Sequence, residues 1–202
     1  MNRLLLLCML AACGSTPPVP PASPEPVATP APPAKRFEPT SFGATITGAG
    51  RPIILIPGLA CSGAVWDETV AHLAAHEVHT LTLSGFAGRP PIDAPLAATV
   101  RAELAAYIRD RTLDHPVVMG HSMGGFIALW LAATEPALVG PVIVVDGAPA
   151  LGRDNSEQIA RQLRDSWKKM NDLEFRAAAH GFFEAMMKDG KRLDFVLADV
   201  LK

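Results

Sequence analysis

Short apolar segments alternate along this chain with stretches of helical spacing, and this alternation limits the folds that the chain can adopt. The strand-like segments are Phe42 to Thr47, Ile53 to Ile56, Val78 to Leu83, Val117 to Met119 and Val142 to Val145. Helical spacing is found in Trp66 to Ala75, Leu96 to Arg111 and Phe126 to Ala133. Apolar strands joined by helices are typical of a parallel sheet with short right-handed connections. The sequence therefore predicts an α/β fold with a mostly parallel sheet and helices on both faces.

The segment Gly120-His121-Ser122-Met123-Gly124 matches the pattern G-x-S-x-G and lies between a predicted strand and a predicted helix. In that position the pattern indicates a sharp turn that exposes a nucleophilic serine at the carboxyl end of the sheet. Gly120 and Gly124 would avoid Cβ clashes where the chain passes close to Ser122. The alternative is that Ser122 is an ordinary serine in a strand-to-helix turn.

Two backbone N–H groups are candidates for binding a developing oxyanion. The N–H of Met123 stands at the start of the predicted helix, where the helix dipole would add to its effect. The second donor should come from the loop after the Ile53 to Ile56 strand, and Leu59 in Pro57-Gly58-Leu59 is our candidate.

The serine turn, the Pro57-Gly58 loop followed by Trp66, and the order of the strands resemble the α/β-hydrolase superfamily, from Ile53 to about Pro149. The chain is similar to its esterase, haloperoxidase and acyl-transfer branch, although the first loop usually reads His-Gly there. The resemblance implies an esterase-like serine hydrolase that acts on an acyl or ester substrate through Ser122, an acid and a histidine.

The acid and the histidine are harder to assign from the sequence. Asp146 follows the Val142 to Val145 strand, where some superfamily members carry the acid, but it could also cap a turn before Gly147. His180 is the only histidine after the serine turn, but it lies in a predicted helix, where a packing or surface role is favoured over that of the base. His121, next to the nucleophile on a tight turn, is expected to pack or to face the substrate rather than act as the base.

Residues 41–150 are predicted to form the hydrolase core and residues 151–202 a helical cap, with helices at Ser156 to Met170, Asp172 to Lys188 and Leu193 to Leu201. The C-terminal strands that carry the catalytic histidine in the superfamily are expected to be missing, which leaves Val142 to Val145 as an apolar edge. An alternative function follows from this expectation: a truncated or catalytically inert, membrane-anchored protein that binds a ligand in the pocket between sheet and cap.

The N-terminus predicts export and a lipid anchor. Residues 1–12 combine Arg3 with the apolar run Leu4 to Leu10, which is too short to span a bilayer and is typical of a signal peptide. Leu10-Ala11-Ala12-Cys13 resembles a bacterial lipobox, in which Cys13 would carry the lipid. Residues 13–40 form a Pro- and Ala-rich linker. We expect a protein of the bacterial cell envelope, facing the periplasm or on the outer membrane, and a secreted protein is the alternative.

Composition argues against other classes of partner. The net charge of −2 without a basic cluster gives no reason to expect nucleic acid. No dinucleotide-binding pattern follows a strand, so no cofactor is expected. His72 and His76 are spaced as on one helix face and His79 follows, but the Glu of the H-E-x-x-H pattern is missing, so no metal site is expected.

Overall fold

The computed structural model describes residues 36–147, 156–186 and 190–200. The predicted signal peptide, most of the linker and Cys13 lie outside these residues. Five strands form one sheet in the order β1-β3-β2-β4-β5. The strands are β1 (Phe42–Thr47), β2 (Arg51–Ile56), β3 (His76–Leu83), β4 (Val117–His121) and β5 (Val142–Val145), and the helices are α1 (Asp67–Val70), α2 (Leu96–Asp110), α3 (Met123–Thr134), α4 (Ser156–Trp167), α5 (Asp172–Met186) and α6 (Gly190–Val200).

The sheet is parallel except at one edge, where β1 pairs antiparallel with β3. Strands β3, β2, β4 and β5 run parallel, so their carboxyl ends meet at one edge of the sheet. In this register Ile56 of β2 lies opposite Gly120 of β4, and His121 lies opposite Val145 of β5. The predicted fold class is confirmed, because the chain forms a mostly parallel α/β sheet.

Apolar side chains cover both faces of the sheet. On one face α3 packs against β4 and β5 and α2 packs against α3, and their buried residues Leu104, Ile108, Ile127 and Leu131 form one cluster with residues of β2 and β3. On the other face Ile53, Leu55 and Val78 pack against Trp66, which ends a 3-10 helix over Gly63–Trp66. The central strand β2 is apolar on both sides, since Ile54, Leu55 and Ile56 are fully buried.

The predicted helix from Trp66 to Ala75 is wrong in extent. A 3-10 turn ends at Trp66, α1 covers only Asp67–Val70, and the chain then turns until His76 opens β3. Its apparent helical spacing came largely from alanines, and among its later residues only Val70 and Leu73 contact the core. His72 and His76 consequently do not share a helix face, and His79 is buried inside β3.

Strand β5 lies at the edge of the sheet and, within the described chain, pairs only with β4. Ile143 and Val145 are 42% and 41% exposed, which agrees with the predicted apolar edge. Helices α4, α5 and α6 follow, and α5 packs against α6. Over the described residues, none of the helices has the length and apolar character needed to cross a membrane.

Candidate active site

Ser122 lies between β4 and α3 with φ 50° and ψ −116°, a backbone conformation that non-glycine residues rarely adopt. Such a conformation typically costs about 1–3 kcal/mol and persists only where its surroundings hold it. Here the Ser122 N–H donates to the carbonyl of Val145 (3.0 Å), and the Ser122 carbonyl accepts from Phe126 N–H (3.2 Å). The sheet and the helix therefore both fix the backbone of Ser122.

The glycines around Ser122 allow three backbone segments to meet. A Cβ on Gly120 would overlap the backbone carbonyl of Gly124, and a Cβ on Gly124 would overlap the carbonyl oxygen of Ile56 and lie 2.6 Å from that of Pro57. Side chains at these positions would separate α3 from β4 and from the loop after β2. Sequence reasoning missed Gly125, where a Cβ would lie 2.8 Å from the Val144 side chain.

The loop after β2 lies directly against the serine turn. A Cβ on Gly58 would be 2.7 Å from Nδ1 of His121 and 3.4 Å from Cβ of Ser122. Leu59, the next residue, is 45% exposed. Among the described residues, no protein group accepts a hydrogen bond from the N–H of Leu59 or of Met123. Both groups are thus available to a ligand at this edge of the sheet.

Asp146 follows β5, next to Val145, whose carbonyl binds the Ser122 N–H. Its side chain is exposed and its φ is 47°, a left-handed conformation that Asp tolerates better than most residues. The turn geometry fits the capping interpretation, and the position at the cleft fits an acid of the site. Sequence reasoning also missed Gly147, where a Cβ would lie 3.0 Å from the Ser122 carbonyl oxygen.

A cleft of about 630 Å³ lies beside the serine turn. Its described lining residues come from the segment after β2, from the ends of β4 and β5, and from the helices α5 and α6. They are Cys61, Ala64, Val65, Asp67, Glu68, His121, Asp146, Phe183, Met186, Phe195 and Val196. The lining is mainly apolar, with carboxylates from Asp67, Glu68 and Asp146 and no Lys or Arg among these residues.

The sequence did not identify the cap residues of this cleft. Met186 and Phe195 are 63% and 52% exposed, so they face the cleft instead of packing in a core. The spacing of two apolar residues could have indicated this face, because Phe183 and Met186 lie three residues apart on α5. None of the described residues of α5 is buried. The sequence alone could not show that this face turns toward Ser122.

All six histidines lie in the described part of the chain. Only His121 lines the cleft, and its buried Nδ1 has no hydrogen-bond partner. His180 is 51% exposed on α5 and pairs with Glu184 at 3.5 Å. The structure places Ser122, Leu59, Met123 and Asp146 at one edge of the sheet, and His180 is not among the residues described at the cleft.

The described residues contain no group of three or more His, Cys, Asp or Glu side chains arranged to hold a metal ion. The described site combines a serine whose backbone is strained and fixed with two backbone N–H groups that have no described acceptor.

Residues 53–200 match the family described as the alpha/beta hydrolase family. The match covers more than half of the chain and includes the serine turn, the loop after β2 and the helices of the cleft. The chain belongs to the alpha/beta hydrolase family. Its place in the family agrees with the strand order and with the strained serine between β4 and α3.

Curated relatives include esterases and lipases. The chain is 30% identical to the lipase LipV of Mycobacterium tuberculosis over 126 residues. This aligned region covers 62% of this chain and 48% of the lipase. It is 33% identical over 103 residues to the pimeloyl-[acyl-carrier protein] methyl ester esterase of Aliivibrio salmonicida, which covers 50% of this chain and 38% of that protein. The chain thus spans about half the length of these relatives or less.

Solved structures show the same fold. A thermophilic esterase from Thermogutta terrifontis superimposes with a TM-score of 0.68 at 17% identity, over 84% of this chain and 67% of the esterase. A hydrolase from Pseudomonas aeruginosa superimposes with a TM-score of 0.66 at 15% identity, over 79% and 62% of the two chains. At these identities the likeness concerns the fold.

Proposed function

We propose that this member of the alpha/beta hydrolase family is a serine hydrolase, esterase-like, that uses Ser122 to attack an acyl substrate. The observation that carries the proposal is the positive φ of Ser122 at the carboxyl end of the sheet, held from both sides by backbone hydrogen bonds. A fold tolerates such strain where it positions a functional group. The apolar cleft beside it suits the acyl part of a substrate.

In the proposed reaction, Ser122 Oγ attacks the carbonyl carbon of the substrate and the carbonyl oxygen becomes an oxyanion. The N–H groups of Leu59 and Met123 then donate to this oxyanion, and the α3 dipole stabilises its charge. The serine proton passes to a base, the oxyanion collapses as the ester C–O bond breaks, and the alcohol leaves with that proton. Water then hydrolyses the acyl-serine, which releases the acid and regenerates Ser122. Asp146 is the acid that we propose for the site, since it lines the cleft and directly follows Val145, whose carbonyl accepts from the Ser122 N–H.

A second function rests on one further observation. Within the described residues, no side chain accepts a hydrogen bond from Ser122 Oγ, and an activated serine needs a base within hydrogen-bond reach. The second candidate is therefore an inert, membrane-anchored protein that binds an acyl ligand in the same cleft. It would bind the ligand without turning it over.

Relatives support ester substrates over other acyl compounds. The similar proteins named above are a lipase and a methyl ester esterase. We extend only the ester chemistry to this chain, as a proposal, and assign no particular acid or alcohol. A small-molecule ester with an apolar acyl group fits both the names of the relatives and the lining of the cleft.

Ester hydrolysis tests the first function. We expect the chain to hydrolyse a p-nitrophenyl ester with a short acyl chain, and Ser122→Ala to lower kcat by about 10⁶. Ser166→Ala, on the exposed face of α4, should leave the rate unchanged. If the ester binds but neither the native chain nor the control turns it over, the inert function is correct.

Two variants of Leu59 test whether its N–H group, in the loop after β2, binds the oxyanion. Leu59→Pro removes the N–H and should lower kcat by about 10² to 10³, whereas Leu59→Ala keeps the N–H and should stay close to the native rate. Equal rates for the two variants would remove Leu59 from the site.

We also propose that Cys13 carries a lipid that anchors the protein in the bacterial cell envelope. The proposal rests on the sequence Leu10-Ala11-Ala12-Cys13 after an apolar run. Palmitate incorporation in a bacterial host tests it: the native chain and Cys8→Ser should be labelled and Cys13→Ser should not. A native chain without label would show that Cys13 is not the anchor and would favour a secreted protein. Labelling that survives in Cys13→Ser would show that the lipid is attached elsewhere.

A further inference from the structure

Helix α4 carries an exposed apolar stripe. Ile159, Leu163 and Trp167 follow one another at intervals of four residues and therefore share one helix face. They are 40%, 48% and 53% exposed, and no described residue of α4 is buried. Large apolar side chains in such a row normally contact another surface.

The rest of α4 and the turn after it are basic. The segment from Ser156 to Lys169 contains more basic than acidic residues. The basic residues are Arg161, Arg164, Lys168 and Lys169, and the acidic residues are Glu157 and Asp165. This segment is therefore net positive, whereas the whole chain has a net charge of −2. Arg161 pairs with Glu157 at 3.3 Å. The other three cations form no ion pair with any described residue. They are therefore available to an anionic partner.

The turn between α4 and α5 is well defined by hydrogen bonds. Asn171 Oδ1 accepts from the N–H groups of Leu173 and Glu174, both at 3.0 Å, and Glu174 Oε2 accepts from Asn171 N–H at 2.9 Å. This reciprocal cap fixes the start of α5. Leu173 at that point is 77% exposed, so the fixed corner presents a further apolar side chain to solvent.

We propose that α4 and its corner with α5 dock on an anionic phospholipid surface. An amphipathic helix with Trp and Leu on one face and Lys and Arg on the other lies in the membrane interface, with its apolar face at the level of the headgroups and acyl chains. Trp167 and Leu163 insert, while Lys168 and Lys169 bind headgroup phosphates. A second copy of the chain is a poorer partner, because two like-charged helices repel each other.

Vesicle binding tests the proposal without any need for catalysis or for the lipid on Cys13. The full chain carrying Cys13→Ser is mixed with vesicles of phosphatidylcholine alone or of phosphatidylcholine with phosphatidylglycerol, and bound protein is measured by sedimentation. The apolar N-terminal run is present in every variant, so differences between variants report on α4. We expect stronger binding to the anionic vesicles and weaker binding as salt is raised.

Substitutions separate the charged from the apolar contribution. Lys168→Glu with Lys169→Glu should lower binding to anionic vesicles by at least twentyfold, at about fivefold for each cation lost. Trp167→Ser should lower binding to both kinds of vesicle by roughly tenfold. Ile46→Ser, which replaces a residue 43% exposed on β1, is the matched control and should bind like the parent chain.

Two outcomes would overturn the proposal. The first is that Trp167→Ser and the double lysine variant, with native circular dichroism spectra, bind vesicles like the parent chain. The second is a chain that forms dimers in solution which Leu163→Glu or Trp167→Ser dissociates, because a second copy would then cover the stripe.

Discussion

At the scale of single residues, the serine turn depends on glycines, which have no side chain to separate the backbone segments. Gly124 lies so close to the carbonyl oxygens of Ile56 and Pro57 that a Cβ would overlap one of them. The close contact brings the start of α3, with Met123, against the loop that carries Leu59. The position of the nucleophile and the position of both proposed oxyanion donors therefore depend on the same backbone contact.

We predict that Gly124→Ala lowers the free energy of unfolding by about 3 kcal/mol, because the new Cβ would meet backbone atoms of Ile56 and Pro57, which cannot rotate away. Gly181 in α5 is the matched control, since a Cβ there meets nothing within 4 Å. Gly181→Ala should stabilise by about 0.5–1 kcal/mol through helix propensity. Urea unfolding of the two variants measures both values, and equal effects would contradict the contact described here.

The residues of the serine turn could be predicted because each follows from local chain geometry. G-x-S-x-G between a strand and a helix has one well-known conformation, and the glycines at 120 and 124 follow from it. The roles of Gly125 and Gly147 were not predictable, because they depend on Val144 and on the path of the chain after β5. Such contacts join residues that are distant in sequence.

At the scale of elements, Glu103 of α2 joins the start of β1 to the helix. Its carboxylate accepts from the N–H groups of Thr40 and Ser41, at 3.0 and 2.7 Å, and from their hydroxyls, at 2.8 and 2.6 Å. Burial alone would raise the pKa of Glu103, but the hydrogen bonds from Ser41 and Thr40 outweigh burial and lower it. The Glu103 side chain thus connects α2 to the segment directly before the edge strand β1.

We predict that Glu103→Gln lowers the free energy of unfolding by about 1–2 kcal/mol at neutral pH, since an amide cannot accept all four bonds and part of the gain is screened by solvent. Because the pKa of Glu103 is lower in the folded chain, its contribution is present above the unfolded pKa and is lost as the pH falls through the folded pKa. The difference between native chain and variant should therefore shrink below about pH 4. Glu157→Gln on α4 is the control, and a difference that persists in acid would refute the assignment.

Most elements were predictable from the apolar pattern, and the helix predicted from Trp66 to Ala75 was the exception. Strands β1 and β5 match their predicted limits, and α2 ends one residue earlier than predicted. The error at α1 arose because the chain turns after Val70 and reaches His76, whose pairing with Arg51 begins β3 directly after the predicted helix.

At the scale of the whole molecule, a buried histidine links the sheet to α2. His79 of β3 is fully buried, with Nδ1 at 2.8 Å from the Tyr107 hydroxyl and Nε2 at 2.8 Å from Glu77 Oε1. Burial lowers the pKa of His79, the hydrogen bond and charge of Glu77 offset part of this effect, and Arg111 lowers the pKa further. The folded chain therefore holds this histidine neutral more strongly than the unfolded chain does.

We predict that the free energy of unfolding falls as the pH is lowered below about 6.5, because the unfolded chain then binds a proton that folded His79 does not. His79 can change the free energy of unfolding by at most about 1.4 kcal/mol per pH unit. His79→Gln should be less stable at neutral pH and should lose this slope, whereas His115→Gln, at a side chain that is 63% exposed, should keep it. Denaturant titrations across this pH range decide, and an unchanged slope in His79→Gln would contradict the prediction.

The overall architecture was predictable from the alternation of strands and helices, because few topologies bury continuous apolar strands on both faces. The cleft was predictable only in part. Asp146 and the serine turn lie at the carboxyl edge of the sheet as strand order requires, whereas Phe183 and Phe195 reach the cleft through the packing of α5 on α6. Helical periodicity gives the apolar face of each helix but not the surface that it meets.

Labelling of the folded chain with a fluorophosphonate, which reacts with activated serines, tests directly whether Ser122 is a nucleophile. We predict labelling of the native chain, loss of labelling in Ser122→Ala, and native labelling in Ser166→Ala. Asp146→Asn should slow the labelling if Asp146 is the acid of the site. A folded native chain that takes no label, or a Ser122→Ala variant that labels like the native chain, would contradict the proposal that Ser122 is the nucleophile of a working hydrolase.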